Sequence, residues 1–126
     1  MFAKKSLGQN FLNNSEVIAD IVTAAQIKSG DIVLEVGPGE GVLTQALLDA
    51  GANVIAVEKD DRLIKKLETR FPNAKIIHGD ILNLDTKSYV LSSKSYKIVA
   101  NIPYYITGAF LRKVFENSHL PTRIVL

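Results

Sequence analysis

From Ser15 the apolar residues Val17, Ile18, Ile21, Val22 and Ala25 recur at helical spacing, with Asn14 or Ser15 available as the N-cap. A first helix is expected there. Ile32-Val33-Leu34-Glu35-Val36 is a short β-branched run that stops at Gly37-Pro38-Gly39, and Val42, Leu43, Ala46, Leu47 and Ala50 resume helical spacing before Gly51. This reads as strand, tight turn, helix. Val54-Ile55-Ala56-Val57-Glu58 is the next buried strand. An amphipathic helix follows, with Leu63, Ile64, Leu67 and Phe71 inside and Arg62, Lys65, Lys66 and Arg70 outside, closed by Pro72. Further strands are expected at residues 74–78 and 96–100. A helix beginning near Thr107 carries Phe110, Leu111, Val114 and Phe115 on one face, and residues 122–126 form a last strand.

Strands that are apolar almost throughout have no polar face to turn to water, so each must be covered on both sides. Their alternation with amphipathic helices predicts a doubly wound α/β domain with a parallel sheet, occupying residues 1–126. Ligands of such sheets sit at the carboxyl ends of the strands. The residues to weigh are therefore Gly37 to Gly41, Glu58, Asp80 and Asn101 to Tyr104.

Composition narrows the classes. Of 126 residues, 47% are hydrophobic, enough for one core, and the 22% that are charged are spread without low-complexity tracts. No cysteine is present, which removes disulfides, thiolate zinc sites and cysteine nucleophiles. The start, Met1-Phe2-Ala3-Lys4-Lys5-Ser6, lacks the apolar stretch of a signal peptide, and no apolar run is long enough to span a membrane. A cytoplasmic protein with no membrane partner is expected. The net charge of +2 permits a polyanionic partner without requiring one.

Glu35-Val36-Gly37-Pro38-Gly39-Glu40-Gly41 leaves a strand and enters a helix, where absent side chains let a ligand reach backbone N–H groups. A nucleotide-like ligand fits. The dinucleotide fingerprint would need a further glycine at position 42, which is Val42, and no P-loop lysine follows, so hydride-transfer cofactors and nucleoside triphosphates are disfavoured. Glu58, 17 residues past Gly41, ends its strand where a carboxylate can accept both hydroxyls of a ribose; a helix-start acid is the plainer alternative. Asp80 can accept from an adenine amine, with Ile81 against the ring, although Gly79-Asp80 alone is simply a turn. His78 has no second ligand at metal-like spacing, and no metal is expected.

Asn101-Ile102-Pro103-Tyr104 is the most specific motif. The N6 of adenine is a poor nucleophile because its lone pair is delocalised into the ring. The Asn101 side-chain oxygen and a backbone carbonyl held by Pro103 could accept its two hydrogens and favour a pyramidal nitrogen, with Tyr104 stacked on a flipped base. Alignment, rather than a strong base, would supply the acceleration. Tyr105 is expected in the core.

These residues, with Lys5-Ser6-Leu7-Gly8-Gln9-Asn10-Phe11-Leu12 at the start, make the chain resemble the ribosomal RNA adenine N6-dimethyltransferases of the bacterial KsgA type, relatives of the erythromycin-resistance methyltransferases. The resemblance implies a Rossmann-like class I methyltransferase fold and S-adenosyl-L-methionine as cofactor. It implies cofactor contacts at Asn10, Leu12, Gly37, Gly39, Glu58, Asp80, Ile81 and Asn101, and a reacting centre at Asn101, Pro103 and Tyr104. The implied partner is ribosomal RNA in the small ribosomal subunit, two adjacent adenosines being the family's usual substrate, and the protein is expected to act as a monomer. The alternatives are 23S rRNA methylation of the resistance type and a non-catalytic role in ribosome assembly. Family members are considerably longer, carrying further strands and a helical domain. A fragment ending in a fifth strand is therefore expected, with residues 124–126 as an exposed apolar edge and little methyl transfer of its own.

Overall fold

The computed structural model describes residues 15–84, 95–102, 104–116 and 120–126. In chain order these form α1 (Ser15–Ala25), β1 (Ile32–Val36), α2 (Val42–Asp49), β2 (Asn53–Glu58), α3 (Asp61–Arg70), β3 (Lys75–His78), β4 (Lys97–Ala100), α4 (Tyr104–Phe115) and β5 (Arg123–Val125). The expected alternation of strands and helices is present. The strands form one parallel sheet in the order β3-β2-β1-β4-β5.

Period-two alternation divides the strand side chains between two cores. Val33, Val54, Ala56, Val99 and Val125 face α1 and α2, meeting Ile18, Ile21, Ala25, Leu43 and Leu47. Leu34, Val36, Val57, Ile77, Ile98 and Ala100 face the other way, against Phe110 and Val114 of α4. Helices on both faces make this the doubly wound arrangement expected. The run at residues 124–126 departs from expectation: Val125 is buried in the first core, while Ile124 and Leu126 pack half-buried against the second.

The start of α4 also departs from the sequence reading, because the helix begins at Tyr104 rather than near Thr107. Tyr104, Tyr105 and Ile106 are aromatic or β-branched and favour a helix only weakly. Ile106 nevertheless packs beneath the helix in line with Phe110 and Val114, a four-residue spacing, and that burial extends it. The same register overturns the core placement of Tyr105, whose side chain is 77% exposed. Five residues from Phe110, it points away from the sheet.

The sheet's order fixes where a ligand can lie. Connections from β1 run outward through β2 to β3, whereas β4 and β5 lie on the other side, so the chain reverses direction between β1 and β4. A crevice opens at such a reversal, outside the carboxyl ends of the two strands. Gly37 and Asn101 directly follow those two strands. At the opposite end of the sheet the structure is tied shut: Lys97 Nζ donates to the Gln26 carbonyl at 2.6 Å and to Asp31 Oδ2 at 2.8 Å, and Arg123 reaches the Ala24 carbonyl and Gln26 Oε1.

Candidate functional site

The ladder of backbone hydrogen bonds continues just past the strands and sets the site's geometry. Asn101 N–H donates to the Val36 carbonyl, Gly37 N–H to that of Val57, and Gly79 N–H to that of Glu58. Four strand ends thus lie side by side. From one edge to the centre they present Gly79 and Asp80, then Glu58, then Gly37, then Asn101.

At Gly37 the fit between neighbours is tight. Its φ is 75°, a left-handed conformation, and a Cβ added there would stand 3.0 Å from the Asn101 carbonyl oxygen. Glycine is required on both counts. Gly39, two residues on, has open space where a side chain would project. The loop closes with Gly41 N–H donating to the Pro38 carbonyl, and Gly41 accommodates the Phe71 ring, which would lie 2.3 Å from an added Cβ. The end of α3 therefore buttresses the glycine loop.

Glu58 is only 7% exposed, and its carboxylate joins two segments. Oε1 accepts from Gly39 N–H at 3.0 Å and Oε2 from Asp60 N–H at 2.8 Å. Each oxygen retains acceptor capacity for a further donor. The turn into α3 is held in its own right. Asp60 caps that helix by accepting from Arg62 N–H and grips the Arg62 guanidinium through both carboxylate oxygens, and these bonds, the side-chain pair first, hold its carboxyl down at about 2.

Asp80 is half-buried, with Oδ1 accepting from Leu82 N–H at 3.0 Å and Oδ2 3.7 Å from Lys59 Nζ. Ile81 is buried beside it. At the end of β4, Asn101 is exposed, and Tyr104 supplies the first residue of α4. Asn10, Leu12 and Pro103 lie outside the described residues, as does the side chain of Tyr104. The structure thus brings together Gly37, Gly39, Glu58, Asp80, Ile81 and Asn101 along one rim. His78 is exposed, and its Nε2 lies 3.2 Å from the Lys59 carbonyl, a surface contact. Among the described residues no three His, Asp or Glu side chains cluster as a metal site would require.

Two features of the site were not assigned from sequence. Glu35, inside apolar β1, is 1% exposed and accepts from the Thr44 hydroxyl of α2 at 2.6 Å. Burial raises its pKa to about 7, the Thr44 hydrogen bond opposing and the nearby Glu58 charge adding to the rise. A carboxylate within an otherwise apolar strand was the signal available. The second is Lys113 of α4, whose ammonium donates to the carbonyls of Ile81 and Leu84 and ties the turn after Asp80 to the helix that starts beside Asn101.

A family model described as ribosomal RNA adenine dimethylase matches residues 2–126. The chain belongs to that family. Among its relatives, a ribosomal RNA small subunit methyltransferase A from Dehalococcoides mccartyi is 46% identical, over 98% of this chain and 44% of that protein. The chain spans about half the length of the curated relatives it matches. The 23S rRNA methyltransferase ErmE has a similar structure, with a TM-score of 0.77 at 33% identity, covering 91% of this chain and 47% of that one. A dimethyladenosine transferase from Plasmodium falciparum gives 0.72 at 32% identity, over 86% and 39% of the two chains. The chain accordingly has a Rossmann-like class I methyltransferase fold.

Proposed function

We propose that this chain carries the cofactor site and reacting centre of an S-adenosyl-L-methionine-dependent enzyme that dimethylates N6 of adenosines in small-subunit ribosomal RNA. The observation that carries the reading is the direct apposition of Gly37 and Asn101 at the sheet's reversal point. A cofactor lying along the glycine loop would there meet an acceptor held at Asn101 with no side chain between them.

The residues suit the cofactor. Open space at Gly39 leaves room for it along the loop, and the remaining lone pairs of Glu58 can receive the two ribose hydroxyls. Asp80 keeps acceptor capacity for an adenine amine, and Ile81, buried beside it, is assigned to the side of the ring. Asn10 and Leu12 are assigned to the same ligand. When bound, S-adenosyl-L-methionine supplies an electrophilic methyl group on a sulfonium.

The chain's own contribution is to orient and prepare the acceptor. The Asn101 side-chain oxygen and a carbonyl fixed by Pro103 accept the two N6 hydrogens, drawing the nitrogen lone pair out of conjugation, while Tyr104 stacks on the base. The proton on N6 becomes acidic only once the nitrogen is alkylated, so no strong base is required. Holding N6 in line with the methyl group accounts for most of the acceleration. Membership of the dimethylase family and the small-subunit enzymes among its relatives support the substrate. Likeness to ErmE favours 23S rRNA as the second reading. The enzyme is proposed to work as a monomer on the ribosomal subunit.

Two measurements test this. Calorimetric titration of the chain should show binding of S-adenosyl-L-methionine and none of NAD; the reverse result would sink the proposal. In a protein that includes this chain, labelled methyl groups should enter undermethylated 30S particles. Asn101→Ala should lower that rate by at least about 100-fold, the scale for removing a preorganised oxyanion-type contact, with cofactor affinity largely kept.

A further inference from the structure

Helix α4 turns an unusual stripe to solvent. Its exposed positions are Tyr105, Gly108, Arg112 and Phe115, spaced three, four and three residues apart and so aligned along one face. Tyr105 and Phe115 are 77% and 62% exposed. Among the described residues Arg112 makes no salt bridge, and the acid on this face, Glu116, lies beyond the helix's last residue.

Gly108 is the informative member. Glycine is among the least favourable residues inside a helix, and it is usually kept there by a left-handed backbone or by a close neighbour. Neither holds here. Gly108 lies within the regular helix, and a Cβ added to it would meet only an Arg112 guanidinium nitrogen at 3.6 Å, an ordinary contact. Among the described residues nothing needs the glycine. It leaves a patch of bare backbone between an aromatic ring and a guanidinium, about one helical turn from each.

We infer that the Tyr105–Gly108–Arg112 face of α4 docks the unpaired nucleotides adjoining the target adenosine. This rests on the function proposed above, because the face starts one residue after Tyr104. Tyr105 offers a stacking surface to a neighbouring base, a contact any base can make. Bare backbone at Gly108 admits the ribose closely, and Arg112 pairs with the phosphate beyond. Tyr105 and Arg112 are about 10 Å apart along the axis, a span suited to one or two nucleotides of a splayed strand.

The test uses the 126-residue chain with saturating S-adenosyl-L-methionine and a fluorescent RNA hairpin bearing adjacent unpaired adenosines in its loop, read by anisotropy at low salt. Tyr105→Ala, Gly108→Ala and Arg112→Gln should each weaken binding about fivefold or more, leaving cofactor affinity unchanged. Arg112→Gln should also flatten the logarithmic salt dependence by roughly 0.7. Gly108→Ala should raise the melting temperature by about 4 °C while lowering RNA affinity, a pairing that a structural glycine would not give. The inference is overturned if the three variants bind like the parent, if the parent binds no hairpin, if a fully paired RNA feels the same losses, or if Gly108→Ala melts earlier. Failure of the parent to bind S-adenosyl-L-methionine would instead sink the proposed function itself.

Discussion

Glu35 keeps a carboxyl group inside an apolar strand, and its raised pKa makes the fold sensitive to pH in a particular direction. The group titrates near 4.5 when unhindered and at about 7 in the folded chain. Between those values the folded chain holds a proton that the unfolded chain has released. Stability should therefore decline as pH rises through that window and level off above it, by at most about 3 kcal/mol. Thermal unfolding of Glu35→Gln between pH 5 and pH 8 should lack this slope, since the amide does not ionise and can still accept from Thr44. An unchanged slope in the variant would assign the effect to another group. At this scale the sequence was informative about rim residues and less so about their supports. Glu58 and Asp80 stand out because they follow apolar strands, but the Thr44 hydroxyl that meets Glu35 comes from a helix nine residues on and carries no local pattern.

Among the elements, α4 connects both halves of the site. Its first residue, Tyr104, is the last of the Asn101-to-Tyr104 motif, and Lys113 in its last turn satisfies two carbonyls of the turn after Asp80. Lys113→Met keeps most of the apolar stem but leaves those carbonyls without the ammonium. The turn should loosen, costing about 1–3 kcal/mol of stability and weakening S-adenosyl-L-methionine binding severalfold in calorimetry, with RNA-hairpin affinity at saturating cofactor little changed. Equal cofactor affinity in the variant would show that the turn needs no such support. The misplacement of Tyr105 has its cause at this level too. Two adjacent tyrosines give no periodicity by themselves, and only the docking of Ile106, Phe110 and Val114 on the sheet decides which ring turns outward.

For the molecule as a whole, apolar runs alternating with helices were enough to predict a parallel sheet with covered faces, but strand order is written in no single segment. It emerges from which strands find room beside β1, and with it comes the reversal that opens the crevice. A ligand held across several strand ends should stabilise the entire sheet rather than one loop. S-adenosyl-L-methionine at 100 times its Kd should add about 2.7 kcal/mol, visible as a shift in thermal unfolding that NAD does not produce. No shift at that concentration would mean that the rim does not bind the cofactor as a unit.

The meeting of Gly37 with the carbonyl of Asn101 carries a further consequence. Because main chain meets main chain there, the spacing between the glycine loop and the end of β4 does not depend on which side chain occupies position 101. Replacing that side chain should therefore change the contacts offered at position 101 while leaving the two strand ends where they are. The sheet thus works as a fixed jig, and side chains at position 101 can be exchanged one at a time without rebuilding the bench beneath them.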